Sequence, residues 1–222
     1  AEGATTYDHI NFNENITNGP LINGFNEYYG IVASLDMPPY VYVHNDVIQD
    51  KPDHWEGVTP DEDPYGFYRV GPMGKGFNIN KTVNVIFNKG IDYINTHSKK
   101  DNPFFLYLAV PSPHTPILPE EQFRGQSKLN VYGDYVIQTD YYIGQVINTL
   151  KKQNIYDETL IIFASDNGCS PSANFELLKS KGHDPSAGFR GMKSDLFDGG
   201  HRIPLIIKPP INDKSIPYKQ NI

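Results

Sequence analysis

The chain has 222 residues, with 19 Lys and Arg against 26 Asp and Glu, a formal charge of −7. That acidic balance argues against sequence-independent nucleic-acid binding, and 38% hydrophobic with 20% charged residues excludes both a disordered chain and a coiled coil. A single cysteine, Cys169, rules out an intramolecular disulfide and any multi-cysteine zinc site.

The first eighty residues read as irregular. Asn18-Gly19-Pro20, Asn23-Gly24, Pro38-Pro39 and Pro60-Asp61-Glu62-Asp63-Pro64 are breakers, and Tyr40-Val41-Tyr42-Val43 is a short strand between them. Lys81 to His97 reads as a helix, because Val83, Ile86, Phe87, Ile91 and Ile94 recur near a 3.6-residue period; Gly90 weakens it slightly. The run 103–110 is apolar throughout and stops at Pro111-Ser112-Pro113, as a parallel strand covered on both faces does. Tyr132 to Lys152 is a second helix, carrying Val136, Ile137, Ile143, Val146, Ile147 and Leu150 on one face. Further strands follow at 159–165 and 203–208. Strand, helix and strand at this spacing make a βαβ crossover. The expected fold is therefore α/β, a mainly parallel sheet flanked by helices, and residues 1–222 read as one domain or a part of one. No apolar run approaches the roughly 18 residues of a membrane span. The start lacks a signal peptide, as a mature secreted chain also would.

Open α/β sheets bind ligands beyond the carboxyl ends of their strands, and the polar residues of interest fall there. Pro113-His114-Thr115-Pro116 follows the 103–110 run, Ser165-Asp166-Asn167-Gly168 follows the next strand, and 189–202 precedes the last. Asp166 and Asn167 offer hard oxygen ligands suited to Ca²⁺ or Mg²⁺, although Asp-Asn-Gly is also a common polar turn. His114 reads either as an ordinary loop histidine or, held between two prolines, as a rigidly presented catalytic group. Lys193 reads as a solvated charge or as an electrostatic partner of an anion.

With these pieces in order, the sequence resembles the sulfatases of the alkaline-phosphatase-like superfamily, in particular arylsulfatase-like enzymes. The likeness runs from Asn23-Gly24-Phe25-Asn26-Glu27-Tyr28-Tyr29-Gly30 to Gly199-Gly200-His201-Arg202-Ile203-Pro204, with Ser165–Gly168 and Lys193–Pro204 its strongest parts. It implies hydrolysis of a sulfate ester, with Asp166 and Asn167 as ligands of a Ca²⁺ that binds the sulfate and Mg²⁺ as the alternative ion. His114 then contacts the ester near its leaving oxygen, and Lys193 neutralises charge developing there. Ser34 matches a position that contacts sulfate but reads equally as a loop serine bonded to nearby backbone, and Arg190, His183 and His201 read either as contacts for an anionic substrate or as solvated or structural side chains.

Sulfatases attack sulfur with a formylglycine made from the Cys or Ser of a C-x-P-S-R-type motif. Cys169-Ser170-Pro171-Ser172-Ala173 departs from that motif, with Ala173 in place of the arginine and a position after the metal pair, so Cys169 reads as a loop thiol. The early family motifs are absent: no Asp-Asp pair after a first strand, and no Lys-Trp-His-Leu-Gly segment. The expectation is the middle and later part of a catalytic domain, with the formylglycine in a missing N-terminal segment and the chain alone inactive. The expected partner is a sulfated small molecule or glycan, in the periplasm or outside the cell. A phosphodiesterase or phosphonate hydrolase of the same superfamily is the first alternative, and a non-catalytic remnant that binds sulfated glycans is the second.

Overall fold

A computed structural model describes residues 7–211. The N-terminal part is built from short antiparallel strands. β1 (Tyr29–Ile31), β2 (Tyr42–His44) and β3 (Val47–Ile48) form one small sheet in that order, with Gly30 opposite Val43 and His44 opposite Val47. β4 (Pro52–Val58) and β5 (Tyr68–Gly74) form a separate hairpin with two register shifts. The segment between β1 and β2 is tied to that hairpin, since Tyr40 N–H donates to the Pro72 carbonyl at 2.9 Å and Gly74 N–H to the Tyr40 carbonyl at 3.0 Å. A core of Leu35, Tyr40, Tyr42, Tyr68, Met73, Phe77 and Ile79 fills the space between the two units. Part of the segment read as irregular is thus strand. Its Pro and Gly content hid the hairpin, because register shifts and a solvent-facing β4 erase the simple alternation of a strand.

Two helices carry the second core. α1 (Thr82–His97) and α2 (Val131–Lys152) fall within a residue of the positions that periodicity predicts. They pack Val83 and Phe87 against Tyr135 and Tyr142, with Ile117 and Phe123 closing the layer. Phe87 and Tyr142 stack at 5.3 Å between ring centroids, and burying a side chain such as Phe87 contributes roughly 1.5–3 kcal/mol. Asn130 caps α2 by accepting from Gly133 N–H at 3.1 Å, satisfying one of the free donors of the first turn. Fully buried Gln138 accepts from Glu120 N–H at 2.7 Å, so the polar group inside this core is paired.

The C-terminal part holds β6 (Ile161–Ala164), α3 (Phe175–Ser180), the single-turn α4 (Asp198–His201) and β7 (Leu205–Lys208). The architecture is α/β, as expected, and strands occur where the apolar runs at 159–165 and 203–208 place them. The pairing differs from the expected parallel sheet. β6 and β7 run antiparallel, Ile162 opposite Ile207, and residues 103–110 form no strand ladder among the described residues. The reason is local to each. A long loop-rich return leads from β6 to β7 rather than a single crossover helix, so nothing imposes parallel direction. Along 103–110, Leu106, Leu108 and Val110 are partly buried whereas Phe105 and Tyr107 remain 76% and 70% exposed. An apolar run reports strand character but not which partner completes the ladder.

Candidate active site

His114 is delivered to the surface by α2. Thr139 on α2 donates through Oγ1 to Ser112 Oγ at 2.8 Å, and His114 N–H closes a turn onto the Pro111 carbonyl at 3.0 Å. The imidazole Nδ1 lies 2.7 Å from the Thr115 carbonyl. A carbonyl can only accept, so Nδ1 carries the proton and Nε2 is the nitrogen that can exchange one. Near the same nitrogen, Asp36 Oδ1 lies 4.0 Å from Nδ1. Asp36 is buried, and its second oxygen accepts from Arg69 Nη1 at 2.5 Å. Oδ1 itself has no hydrogen-bond partner. Asp36, Phe67, His114, Thr115, Ser170 and Lys193 line one cleft of about 420 Å³. Two candidates separated by nearly eighty positions, His114 and Lys193, therefore share one cavity.

Lys193 is placed by backbone packing. Its N–H donates to the Cys169 carbonyl at 2.9 Å, which joins the Lys193 loop to the Asp166-Asn167-Gly168 turn. That turn is joined in the same way to α4, Gly168 N–H donating to Gly200 at 2.9 Å, and Gly199 N–H donates to Arg190 at 2.8 Å. The approach is so close that a Cβ on Gly168 would sit 1.8 Å from the Gly199 carbonyl oxygen, and one on Gly199 2.1 Å from the Gly191 oxygen. Only glycine permits this contact. Asn167 Oδ1 is buried with no hydrogen-bond partner, whereas Asp166 is exposed. Neither residue lines the cleft itself; they lie on the turn whose next residues, Cys169 and Ser170, do the joining and lining. An orphaned amide oxygen beside a carboxylate is a donor set that suits a hard cation, and the pair supplies two of the roughly six oxygens such an ion takes.

The other candidates do not line the cleft. Ser34 is exposed in the bend after β1, two residues before Asp36, and its carbonyl accepts from Met37 N–H. Arg190 stacks its guanidinium 3.6 Å over the Phe197 ring, and His183 is exposed where α3 ends. His201 Nε2 contacts the Leu196 carbonyl at 3.0 Å. Cys169 is half-buried and donates to Tyr132 Oη at 3.3 Å. Burial pushes its thiol pKa up, although the Tyr132 and Ser170 contacts work the other way, so the thiolate a nucleophile needs is disfavoured.

Sequence reasoning missed Asp36, Arg69, Phe67 and Ser170. Asp36 and Arg69 are 33 positions apart and meet only because β5 packs beside the Leu35–Tyr40 segment. Ser170 was visible within the Cys-Ser-Pro-Ser stretch, but as part of a failed motif rather than as a cleft wall.

Comparison with known proteins bears on this geometry. The sulfatase family model matches residues 2–221. An N-acetylgalactosamine-6-O-sulfatase of Bacteroides thetaiotaomicron is 31% identical over 94% of this chain and 47% of its own length. The N-acetylgalactosamine-6-sulfatase of Mus musculus is 30% identical over 84% of this chain and 34% of its own. A solved Bacteroides thetaiotaomicron structure, described under the metabolism of multiple glycosaminoglycans, superposes with a TM-score of 0.76 at 30% identity, over 90% of this chain and 48% of that one. The chain thus spans about half the length, or less, of the relatives it matches. With the fold, the shared cleft and a family match over nearly its whole length, the chain belongs to the sulfatase family.

Proposed function

We propose that this chain forms the leaving-group side of a sulfatase that hydrolyses a sulfate ester on a glycan, a 6-O-sulfated N-acetylhexosamine being the substrate its relatives' names suggest. The observation that carries the reading is the single cleft shared by His114 and Lys193. In R–O–SO₃⁻ hydrolysis the S–O bond breaks and the electron pair leaves with the sugar oxygen, which must gain a proton. His114, with Nδ1–H held by the Thr115 carbonyl, has Nε2 available to deliver that proton when charged. Lys193 offsets the negative charge gathering on sulfate and leaving oxygen, and its fixed backbone lowers the cost of holding it there. The Asp36 carboxylate would repel a sulfate by itself; Arg69 neutralises it.

Asp166 and Asn167 would hold Ca²⁺, with Mg²⁺ as the alternative, and the orphaned Asn167 Oδ1 supports that role. Such an ion supplies charge stabilisation to sulfate oxygens. The formylglycine nucleophile is expected in a part of the protein that this chain does not include, so turnover belongs to the longer polypeptide. A periplasmic or secreted location accords with a polysaccharide substrate, and no described helix is long and apolar enough to cross a membrane. The test is to incubate the full-length protein with N-acetylgalactosamine 6-sulfate and, separately, with an aryl phosphodiester. Release of inorganic sulfate with the diester left intact supports the proposal. Diester cleavage without sulfate release would favour the phosphodiesterase alternative, and sugar binding without turnover the non-catalytic one.

A further inference from the structure

Asp36 meets His114 in the cleft with one of its two oxygens uncommitted. Oδ2 accepts from Arg69 Nη1, while Oδ1 is buried, has no hydrogen-bond partner and lies 4.0 Å from His114 Nδ1. The carboxylate is held independently of the histidine. The Asp36 carbonyl accepts from Arg69 N–H at 3.1 Å, and the Arg69 carbonyl in turn accepts from the Tyr40 hydroxyl at 2.7 Å. Tyr40 is fully buried, so this anchor belongs to the N-terminal core. His114, for its part, is fixed through Ser112 and the Pro111 carbonyl. Neither residue needs the other for its place, yet the fold brings them together.

A buried carboxylate oxygen with no donor is costly unless a positive charge faces it. An imidazolium supplies that charge, and 4.0 Å, too long for a hydrogen bond, is within ion-pair reach. The charged form of His114 is also the one the leaving-group role requires, since Nε2 must carry a proton in order to give it away. We infer that Asp36 is a positioning residue for this step, its Oδ1 stabilising the His114 imidazolium from which the leaving sugar oxygen takes its proton. The Nε2–H bond breaks as the S–O bond gives its electron pair to the departing oxygen, and the neutral imidazole then regains a proton from water. Asp36 stays ionised throughout. The Thr115 carbonyl already fixes which nitrogen keeps its hydrogen, so Asp36 acts through charge and not through the tautomer. The inference rests on the leaving-group reading of His114 above.

The test measures sulfate release from N-acetylgalactosamine 6-sulfate by the full-length protein and by three variants: Asp36→Asn, His114→Gln and the two combined. Asp36→Asn keeps the shape and removes the charge. It should lower kcat by about 10–10²-fold, part of the roughly 10²–10⁴-fold that a general acid supplies, with KM within about threefold. In the His114→Gln background the same substitution should change kcat by less than about threefold, because no imidazolium is left to stabilise. Equal losses in both backgrounds would overturn the inference, since a structural role or a direct substrate contact adds independently of His114. So would an unchanged kcat, or a raised KM with kcat intact. If Asp36→Asn fails to fold, Arg69→Ala/Asp36→Asn compared with Arg69→Ala asks the same question without leaving the guanidinium unpaired. No sulfate release by the unaltered protein would instead remove the leaving-group reading, and this inference with it.

Discussion

Replacing Arg69 by alanine removes the guanidinium bonded to the buried Asp36 carboxylate. Its guanidinium bonds Asp36 Oδ2 at 2.5 Å and the Asp36 carbonyl at 3.3 Å. The Asp36 side chain is only 9% exposed, whereas that of Arg69 is 49% exposed. Breaking a fully buried pair from one side costs about 3–5 kcal/mol, because a charge is left behind. Here water can enter the space that the exposed half of Arg69 vacates, so about half of that cost remains, roughly 2 kcal/mol. For a chain of this size each kcal/mol moves the melting temperature by about 2–4 °C, so Arg69→Ala should melt roughly 4–8 °C lower. Thermal unfolding followed by circular dichroism at neutral pH reads this directly. The double variant Arg69→Ala/Asp36→Asn leaves no buried charge and should recover part of the loss. A single variant within about 1 °C of the unaltered protein, well below the shift worked out above, would refute the reasoning. A double variant that melts below the single one would refute it as well.

Two further outcomes follow from the loops and the helix behind them. Gly168→Ala would drive a methyl group into the Gly199 carbonyl, so it should destabilise by about 1–3 kcal/mol or more and disturb Lys193 with it; unchanged urea unfolding would contradict the close backbone packing described here. Asp134 accepts from Gly125 N–H at 2.8 Å and Ser127 N–H at 2.9 Å. Burial opposes its ionisation, but the Ser127 and Gly125 bonds outweigh it and leave the pKa lowered. Its stabilising effect is therefore complete above the unfolded carboxylate pKa near 3.9 and fades as pH drops through the lower folded value. Asp134→Asn should cost about 1–3 kcal/mol at pH 7, and the gap to the unaltered protein should narrow below about pH 4. A gap that widens in acid would show the sign to be wrong.

The helices were legible because one face of each is apolar at a helical period, and that pattern survives whatever packs against it. β6 and β7 were legible as runs of Ile and Leu, but their antiparallel pairing was not, since strand direction depends on the route of the loops between them. The β4–β5 hairpin escaped because Pro52, Gly57, Gly71 and Pro72 look like breakers in sequence and act as register shifts or close approaches in space. At the site, His114 and Lys193 could be found because Pro113–Pro116 and Lys193–Pro204 resemble stretches of the sulfatase family. Asp36 could not. Nothing local distinguishes it from any loop carboxylate, and its burial is created by residues on β5 and at 111–115.

The most direct test of the proposed chemistry is sulfate release from N-acetylgalactosamine 6-sulfate by the full-length protein carrying either Lys193→Ala or Cys169→Ser. Lys193 lines the cleft on a fixed loop, so its loss should lower kcat by about 10²–10³-fold, the effect of removing one preorganised electrostatic group. Cys169 is half-buried against Tyr132 with its thiolate disfavoured, so Cys169→Ser should leave turnover nearly unchanged. A silent Lys193 variant beside an inactive Cys169 variant would reverse the assignment, and the Cys-Ser-Pro-Ser stretch would then have to be the source of the nucleophile.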